Sequence, residues 1–217
     1  MFWKKKQFQV DLQDDIPLNT PIDDLTYIVL DTETTGLALQ SGDRLIELAG
    51  VKIQSLNVQE EQTFHTYINP NRKIPEQIKQ LTGITDHNVT GAPNSADAIK
   101  AFFQYVEDSH AVSLVGHYVS FDNLVFKKEL QLEGYRFSPP TTLDTLELLS
   151  FLYPAKQIKD LEEYAIDFGT RIYDRHTALG DCMTTAYLFC ELVYRLKEKG
   201  LGTWGDLLKA GEINKRI

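Results

Sequence analysis

The chain has 217 residues, of which 42% are hydrophobic and 11% aromatic, and its formal net charge is −9. This composition is typical of a folded globular protein and excludes a chain that is disordered throughout. The acidic balance argues against a protein that grips long duplex DNA through its phosphates, unless bound divalent cations reverse the local field.

The first 25 residues differ in composition from the rest of the chain. Lysines at 4–6 precede acidic pairs at 14–15 and 23–24. We expect residues 1–25 to form an N-terminal arm that packs on the domain or is partly loose, and the alternative is an arm that docks a partner. The apolar run after the lysines is too short for the core of a signal peptide.

The main domain is predicted to cover residues 26–198. An apolar run with β-branched residues at 27–30 predicts a buried strand. Strands at 45–53 and 62–68 follow after short loops, which indicates an antiparallel meander. The remaining predicted elements are short strands at 111–115 and 142–143 and helices at 75–83, 96–108, 121–133, 144–151, 159–168 and 177–198.

The order of these elements predicts an α/β fold with a mixed five-stranded sheet flanked by helices. Residues 199–217 are predicted to form a C-terminal helical extension. Cys182 and Cys190 lie eight residues apart on the last long helix, too far for a disulfide, and match no zinc pattern. Two such cysteines fit a reducing, cytoplasmic setting with inert thiols. No apolar stretch approaches the ~20 residues of a membrane span, so we expect no membrane partner.

Two carboxylates stand where the first strand ends. Asp31 and Glu33 are two residues apart, and side chains alternate along a strand, so both project from the same face. Burying two like charges side by side costs roughly several kcal/mol unless a cation neutralises them. Divalent ions such as Mg²⁺ prefer carboxylate oxygens, so this pair is a candidate metal site. The alternative is a pair of acids at an exposed strand end.

A second acidic residue pattern follows the fourth strand, in the sequence Gly116-His117-Tyr118-Val119-Ser120-Phe121-Asp122. Ligands of α/β sheets gather at the carboxyl ends of strands, which makes Asp122 a candidate partner of the first pair. The alternative is that Asp122 only complements the dipole of the helix that begins there.

A third pattern, His176-Thr177-Ala178-Leu179-Gly180-Asp181, opens the last long helix. Asp181 is expected on the first turns of that helix and His176 in the loop before it. Because histidine titrates near neutrality, His176 is a candidate to accept a proton from an attacking water. A surface or capping histidine is the alternative.

These three segments, DTETTG, GHYVSFD and HTALGD, resemble the motifs of the DEDDh exonucleases, the DnaQ-like family on a ribonuclease-H-like fold. The resemblance covers about residues 26–196. It implies that two ions, Mg²⁺ or Mn²⁺, are held by four acids and that His176 is the general base. The implied metal ligands are Asp31, Glu33, Asp122 and Asp181. The tyrosine of the other subgroup would stand four residues before Asp181, where this chain has Thr177.

The resemblance also implies a set of contacts with the substrate. The turn after Glu33 would hold a free 3′ end, with Leu37 either wedged beside the terminal base or packed within the turn. The chain has Tyr118 where the family more often has asparagine, and Thr82 where it has histidine. The implied substrate-binding residues are Thr34, Thr35, Gly36, Leu37, Thr82, His117, Tyr118 and Phe121. Basic residues that could contact the nucleic-acid strand are Arg171, Arg175 and Lys127.

We therefore expect a metal-dependent 3′→5′ exonuclease that releases 5′-nucleoside monophosphates from single-stranded nucleic acid, with DNA favoured over RNA. Two alternatives stay open at this point. One is a proofreading or repair subunit that works docked on a polymerase, and the other is a non-catalytic nucleic-acid-binding scaffold. The expected partners are 3′ ends of single-stranded DNA or RNA and a polymerase or repair protein.

Overall fold

A mixed five-stranded sheet forms the centre of the computed structural model, which describes residues 6–13, 15–155 and 158–211. The described strands are β1 (Lys6–Phe8), β2 (Thr26–Thr34), β3 (Leu45–Gln54), β4 (Asn57–Tyr67), β5 (Ser113–Gly116), β6 (Tyr135–Phe137) and β7 (Thr142–Asp144). The described α-helices are α1 (Glu76–Thr82), α2 (Asp86–Val89), α3 (Ser95–Asp108), α4 (Val119–Leu132), α5 (Thr145–Leu152), α6 (Leu161–Phe168), α7 (Ala178–Glu198) and α8 (Trp204–Gly211).

The strands of the central sheet lie in the order β4-β3-β2-β5-β7. β2, β3 and β4 form an antiparallel meander, and β5 and β7 continue the sheet in parallel on the other side of β2. Helices cover both faces, which confirms the predicted α/β fold with a mixed five-stranded sheet. Among the described residues, no helix is both long enough and apolar enough to cross a membrane.

Side chains of β2 alternate between two apolar cores. Tyr27 and Val29 pack on the face covered by α7, where the ring centroids of Tyr27 and Phe189 are 5.2 Å apart. Ile28 and Leu30 pack on the opposite face, against the aromatic residues of α3 and α4. The predicted buried strand is confirmed, and the sheet extends it through the polar residues up to Thr34 because these continue to pair with β3.

Several predicted boundaries differ by two or more residues from those observed, and two of them matter for the sheet edge and the site. β4 begins at Asn57 rather than at residue 62, because the turn is limited to Ser55 and Leu56, whose φ values of 51° and 54° suit a tight hairpin. The polar residues that suggested a longer loop lie on an edge strand instead. Helix α4 begins at Val119, two residues before the predicted start, so that Asp122 lies inside its first turn.

The described part of the N-terminal arm packs on the domain, as the first of the two alternatives predicted. β1 pairs in parallel with β6. Phe8 is buried, and its ring centroid lies 5.7 Å from that of Phe103 and 6.0 Å from that of Phe137. A three-residue strand paired with a distant segment has no periodicity that sequence reading can detect. The aromatic and basic residues at 2–5, Asp14 and residues 212–217 lie outside the described residues.

The end of the arm also pairs with the C-terminal extension. Ile22 N donates to Gly202 O at 3.0 Å, Trp204 N donates to Thr20 O at 2.8 Å, and Gly205 N donates to Leu18 O at 2.8 Å. The predicted helix after Gly200 and Gly202 is present as α8, with Trp204 buried. The division into 1–25, 26–198 and 199–217 stays a prediction, although the core on the α7 face contains residues of all three segments, among them Ile22, Tyr27 and Trp204.

Candidate active site

Four acidic side chains meet at the polar end of β2. Because Asp31 and Glu33 follow the alternation of Tyr27 and Val29, they project toward α7, which carries Asp181 near its N-terminus. A ligand atom from each of Glu33, His176 and Asp181 lies within 4.8 Å of the others. The structure therefore brings together three of the five residues expected to carry the chemistry.

Asp122 reaches the same region from the opposite helix layer. It is 4% exposed, and its Oδ1 accepts a hydrogen bond of 2.7 Å from Thr32 Oγ1, in the polar end of β2. Burial raises the pKa of Asp122 to about 7, against the lowering effect of the Thr32 hydrogen bond. Its charge is also the largest coulombic cause that raises the pKa of Asp31, so the two carboxylates share one electrostatic environment.

The start of α4 is fixed by a carboxylate from the neighbouring strand. Asp144 accepts hydrogen bonds of 3.0 Å from Tyr118 N and Val119 N, and of 2.9 Å from Leu146 N at the start of α5. Tyr118 has a φ of 65°, a left-handed conformation that is uncommon for tyrosine. This turn leaves the Tyr118 side chain 60% exposed and directs Asp122 toward the sheet.

The loop before α7 is held by contacts with Asp181. Asp181 Oδ2 accepts from His176 N at 3.2 Å, and Asp181 Oδ1 pairs with the Arg175 guanidinium. His176 has a φ of 60° and an exposed side chain. Gly180 is required here, since a Cβ at that position would lie 2.0 Å from the carbonyl oxygen of Asp174. The loop therefore has little freedom to move His176 away from Asp181.

The proximity of these acids makes their ionised forms unfavourable together. Burial and then the charges of Asp122 and Asp181 raise the pKa of Asp31 well above its usual range. Burial and then the charge of Asp181 raise the pKa of Glu33 to about 8. Burial also raises the pKa of Asp181, although Arg175 opposes it. A bound divalent cation would remove this repulsion, and oxygen-rich donor sets suit Mg²⁺ and Mn²⁺.

Two residues of the site were not predicted from the sequence to belong to it. Glu47 on β3 lies directly opposite Glu33, is 3% exposed, and accepts from Ala178 N at 2.8 Å. Its other oxygen lies 2.6 Å from His65 Nε2. A single acid within the apolar run 45–53 was the available signal. The sequence suggests Arg175 only as a contact for the nucleic-acid strand, and its pairing with Asp181 has no signature in the sequence.

The turn after Glu33 is built by its own hydroxyl groups. Thr34 Oγ1 donates to Gly36 O at 2.7 Å, and Thr35 Oγ1 donates to Asp43 Oδ1 at 2.9 Å. Gly36 has a φ of 151°, and a Cβ there would lie 2.5 Å from Asp43 Oδ2. Leu37 is 82% exposed at the tip of the turn. These four residues thus lie beside Glu33 as expected, and their contacts with substrate stay predictions.

The other expected substrate contacts differ in accessibility. Thr82 is 6% exposed and uses its hydroxyl inside α1, donating to Ile78 O at 2.9 Å. Phe121 is half-buried against the core of α3 and α4. His117 Nδ1 lies 2.8 Å from Thr145 Oγ1, and burial followed by the charge of Arg175 lowers its pKa to about 4. A neutral His117 therefore lies near the acidic cluster at physiological pH.

The three basic residues expected to contact the nucleic-acid strand also have different surroundings. Arg171 pairs with Glu60 at 2.7 Å and packs over the ring of Tyr187 on the edge of the sheet. Lys127 is exposed on α4. Among these three cations, Arg175 is the one that contacts an acid of the site.

Comparisons with known proteins give a consistent result. A family model described as Exonuclease (RNase_T) matches residues 28–189. The chain is 36% identical over 191 residues to a DNA polymerase III subunit epsilon-like protein of Rhodobacter capsulatus, and 36% identical over 184 residues to the PolC-type DNA polymerase III of Bacillus subtilis. The matches cover 87% and 83% of this chain but only 27% and 12% of those proteins, so this chain corresponds to a small part of each relative's length.

The fold is also found in a solved nuclease structure. It is similar to the nuclease domain of 3′hExo, described as a DEDDh family member bound to rAMP, with a TM-score of 0.68 and 18% identity. The similarity covers 81% of this chain and 92% of that one. It confirms the ribonuclease-H-like fold that the motifs implied.

Proposed function

Because the chain belongs to the exonuclease family (RNase_T), as the DnaQ-like DEDDh motifs predicted, we propose that it removes nucleotides from the 3′ ends of single-stranded DNA in a metal-dependent reaction. The observation that carries this proposal is the meeting of Glu33, His176 and Asp181 within 4.8 Å. Asp31 and Asp122 supply further carboxylates in the same electrostatic environment. Carboxylates crowded in this way are suited to hold divalent cations rather than a single organic ligand.

Each catalytic residue has a proposed role. Asp31, Glu33, Asp122 and Asp181 would hold Mg²⁺ or Mn²⁺, two ions in the family pattern. When bound, such ions polarise a phosphodiester and stabilise the charge that develops on the leaving 3′ oxygen. The exposed imidazole of His176 accepts the proton of the attacking water. Asp181 holds the backbone of His176 through the 3.2 Å hydrogen bond and so orients the base.

The preference for DNA rests on the relatives. Both curated relatives, at 36% identity, are named as DNA polymerase III proteins. The structure of 3′hExo contains a ribonucleotide, but its similarity to this chain, at 18% identity, concerns the fold alone. These names also favour a second candidate function, proofreading or repair in association with a polymerase. A cytoplasmic setting is part of the proposal, and the two free, buried cysteines support it.

Cleavage of labelled oligomers tests the proposal directly. Single-stranded DNA and RNA carrying a 5′ label would be incubated with the protein in Mg²⁺, Mn²⁺ or EDTA. We expect a ladder that shortens from the 3′ end with either metal, with DNA degraded faster than RNA and no products in EDTA. His176→Ala should lower the rate by at least about 100-fold, since it removes the general base.

His87→Ala provides the matched control, because His87 is an exposed histidine on α2, outside the acidic cluster. It should cleave at the wild-type rate. Intact oligomers with both metals, from a protein whose circular dichroism shows a folded chain, would refute the proposed activity. Faster degradation of RNA would refute the preference for DNA alone. A polymerase that co-purifies with the chain would support the second candidate function.

A further inference from the structure

A cavity of about 260 Å³ lies beside the second motif, between the start of α4 and the helices α5 and α6. Its walls are mainly aromatic and aliphatic. The side chains that form these walls are Tyr118, Leu146, Leu149, Tyr153, Ile158 and Tyr164. We call this cavity the α5 pocket. Its volume exceeds that of a nucleobase and is too small for a folded peptide element.

The α5 pocket is close to the acidic cluster. The ring centroid of Tyr164, in its wall, is 6.0 Å from that of His117. Arg175, which pairs with Asp181, lies close enough to His117 for its charge to lower the pKa of that imidazole. Tyr118 lies at the pocket four residues before Asp122. A strand bound at the acidic cluster would therefore pass the pocket within one or a few nucleotides.

The chemistry of the pocket fits a nucleobase. Its polar groups come from Asp144 and Glu147 and from the hydroxyl groups of Ser120 and Ser150. Hydroxyl and carboxyl groups suit the amino and imino groups of a base. Aromatic and aliphatic walls favour the flat, weakly polar faces of nucleobases.

We propose that the α5 pocket receives one unpaired base of the substrate strand, upstream of the bond that is cut, with Tyr118 at its mouth. The inference rests on the proposed exonuclease function and extends it to the basis of strand selection. A base inside the pocket cannot remain paired with a complementary strand, so a duplex end must open before it fits. The pocket thus favours single strands and frayed ends over paired ends.

Binding measured in EDTA tests this inference without cleavage. A series of labelled single-stranded oligomers would carry one abasic nucleotide at successive positions from the 3′ end. We expect wild-type affinity to fall by about 5- to 20-fold at one upstream position, the scale of losing one base–aromatic stack. The positions on either side should show smaller losses.

Two variants connect that loss to the pocket. Ile158→Ala removes a wall residue that is 75% exposed, so the fold should tolerate it, and Ser150→Phe fills the cavity. Each should weaken binding of the intact oligomer, and the abasic nucleotide at the sensitive position should then cause little further loss. Ile166→Ala, at a 63% exposed isoleucine of α6 outside the pocket, is the matched control and should keep the full abasic profile.

The outcomes separate this inference from the exonuclease function. A profile without a sensitive position, or an unchanged profile in Ile158→Ala, would refute the proposed role of the pocket. It would show that no base of the substrate strand occupies the pocket. The wild-type protein is also assayed with Mn²⁺ on the p-nitrophenyl ester of thymidine 5′-monophosphate, which has no upstream base. Failure to hydrolyse both this ester and the oligomers counts against the exonuclease function itself.

Discussion

At the scale of single residues, Glu47 connects two halves of the site. It is paired opposite Glu33 on the neighbouring strand, and its side chain accepts from Ala178 N at the start of α7. Since α7 carries Asp181, the position of that acid relative to β2 depends on this contact. Glu47 is therefore a positioning residue, which acts through the helix and does not need to contact the substrate.

Replacing Glu47 should separate its charge from its role as an acceptor. We expect Glu47→Ala to lower kcat by about 10- to 100-fold with little change in KM, because it leaves Ala178 N without its partner and releases the start of α7. It should also lower the free energy of unfolding by about 1–3 kcal/mol. Glu47→Gln keeps an acceptor and should recover most of both losses.

Steady-state cleavage and urea unfolding measure these effects. Glu61→Ala, at an exposed acid of β4, is the control and should resemble the wild type. Equal kcat in Glu47→Ala and wild type would show that the helix holds its position without this hydrogen bond.

At the scale of elements, the sequence predicted the helices and the strands of the sheet better than their ends. Long periodic segments such as α7 can be recognised because their apolar positions repeat every three to four residues. The apolar pattern alone marks β2 only as far as Leu30, since the last four residues are polar and extend the strand through pairing with β3. β1 and β6 could not be recognised, because their pairing depends on packing of Phe8 that joins distant parts of the chain.

The same division applies to the site. The metal-ligand candidates could be proposed because acids at strand and helix ends occur in three recognisable motifs. Glu47 and Arg175 could not, because their importance depends on which backbone group or acid they meet in space. The left-handed backbone of Tyr118 and His176 is likewise set by the contacts of the two turns.

The start of α7 should tolerate no side chain at Gly180. We expect Gly180→Ala to lower the free energy of unfolding by about 1–3 kcal/mol, because its Cβ would overlap the carbonyl of Asp174 and displace the loop that carries His176. Cleavage should fall by at least about tenfold for the same reason.

The control for Gly180→Ala is Gly202→Ala, since a Cβ at Gly202 meets no atom within 4 Å. Urea unfolding and oligomer cleavage report the two effects. If Gly180→Ala unfolds and cleaves like wild type, the loop before α7 is more adaptable than its contacts suggest.

At the scale of the whole molecule, the acidic cluster links stability to pH. The pKa of Glu33 is raised to about 8 and that of Asp122 to about 7, while the unfolded chain ionises such groups near pH 4. The folded state therefore holds protons that the unfolded state has released, and stability falls as the pH rises through these values. The lowered pKa of His117 acts in the opposite direction, but only below about pH 7.

We accordingly expect the free energy of unfolding in EDTA to be lower at pH 8.5 than at pH 7, by about 1 kcal/mol or more. Saturating Mn²⁺ should reduce or reverse this difference, because cations bind the ionised carboxylates and stabilise the folded state. Urea titrations at the two pH values, with and without Mn²⁺, provide the comparison. Equal stability at both pH values in EDTA would show that these acids ionise without cost.

The pairing of residues 18–22 with 202–205 has a consequence for the order in which the chain folds. The two segments stand near opposite ends of the sequence and are joined by three backbone hydrogen bonds. Because closing a long loop costs conformational entropy before its contacts form, we expect this pairing to form late, after the sheet and its helices have brought the two segments together.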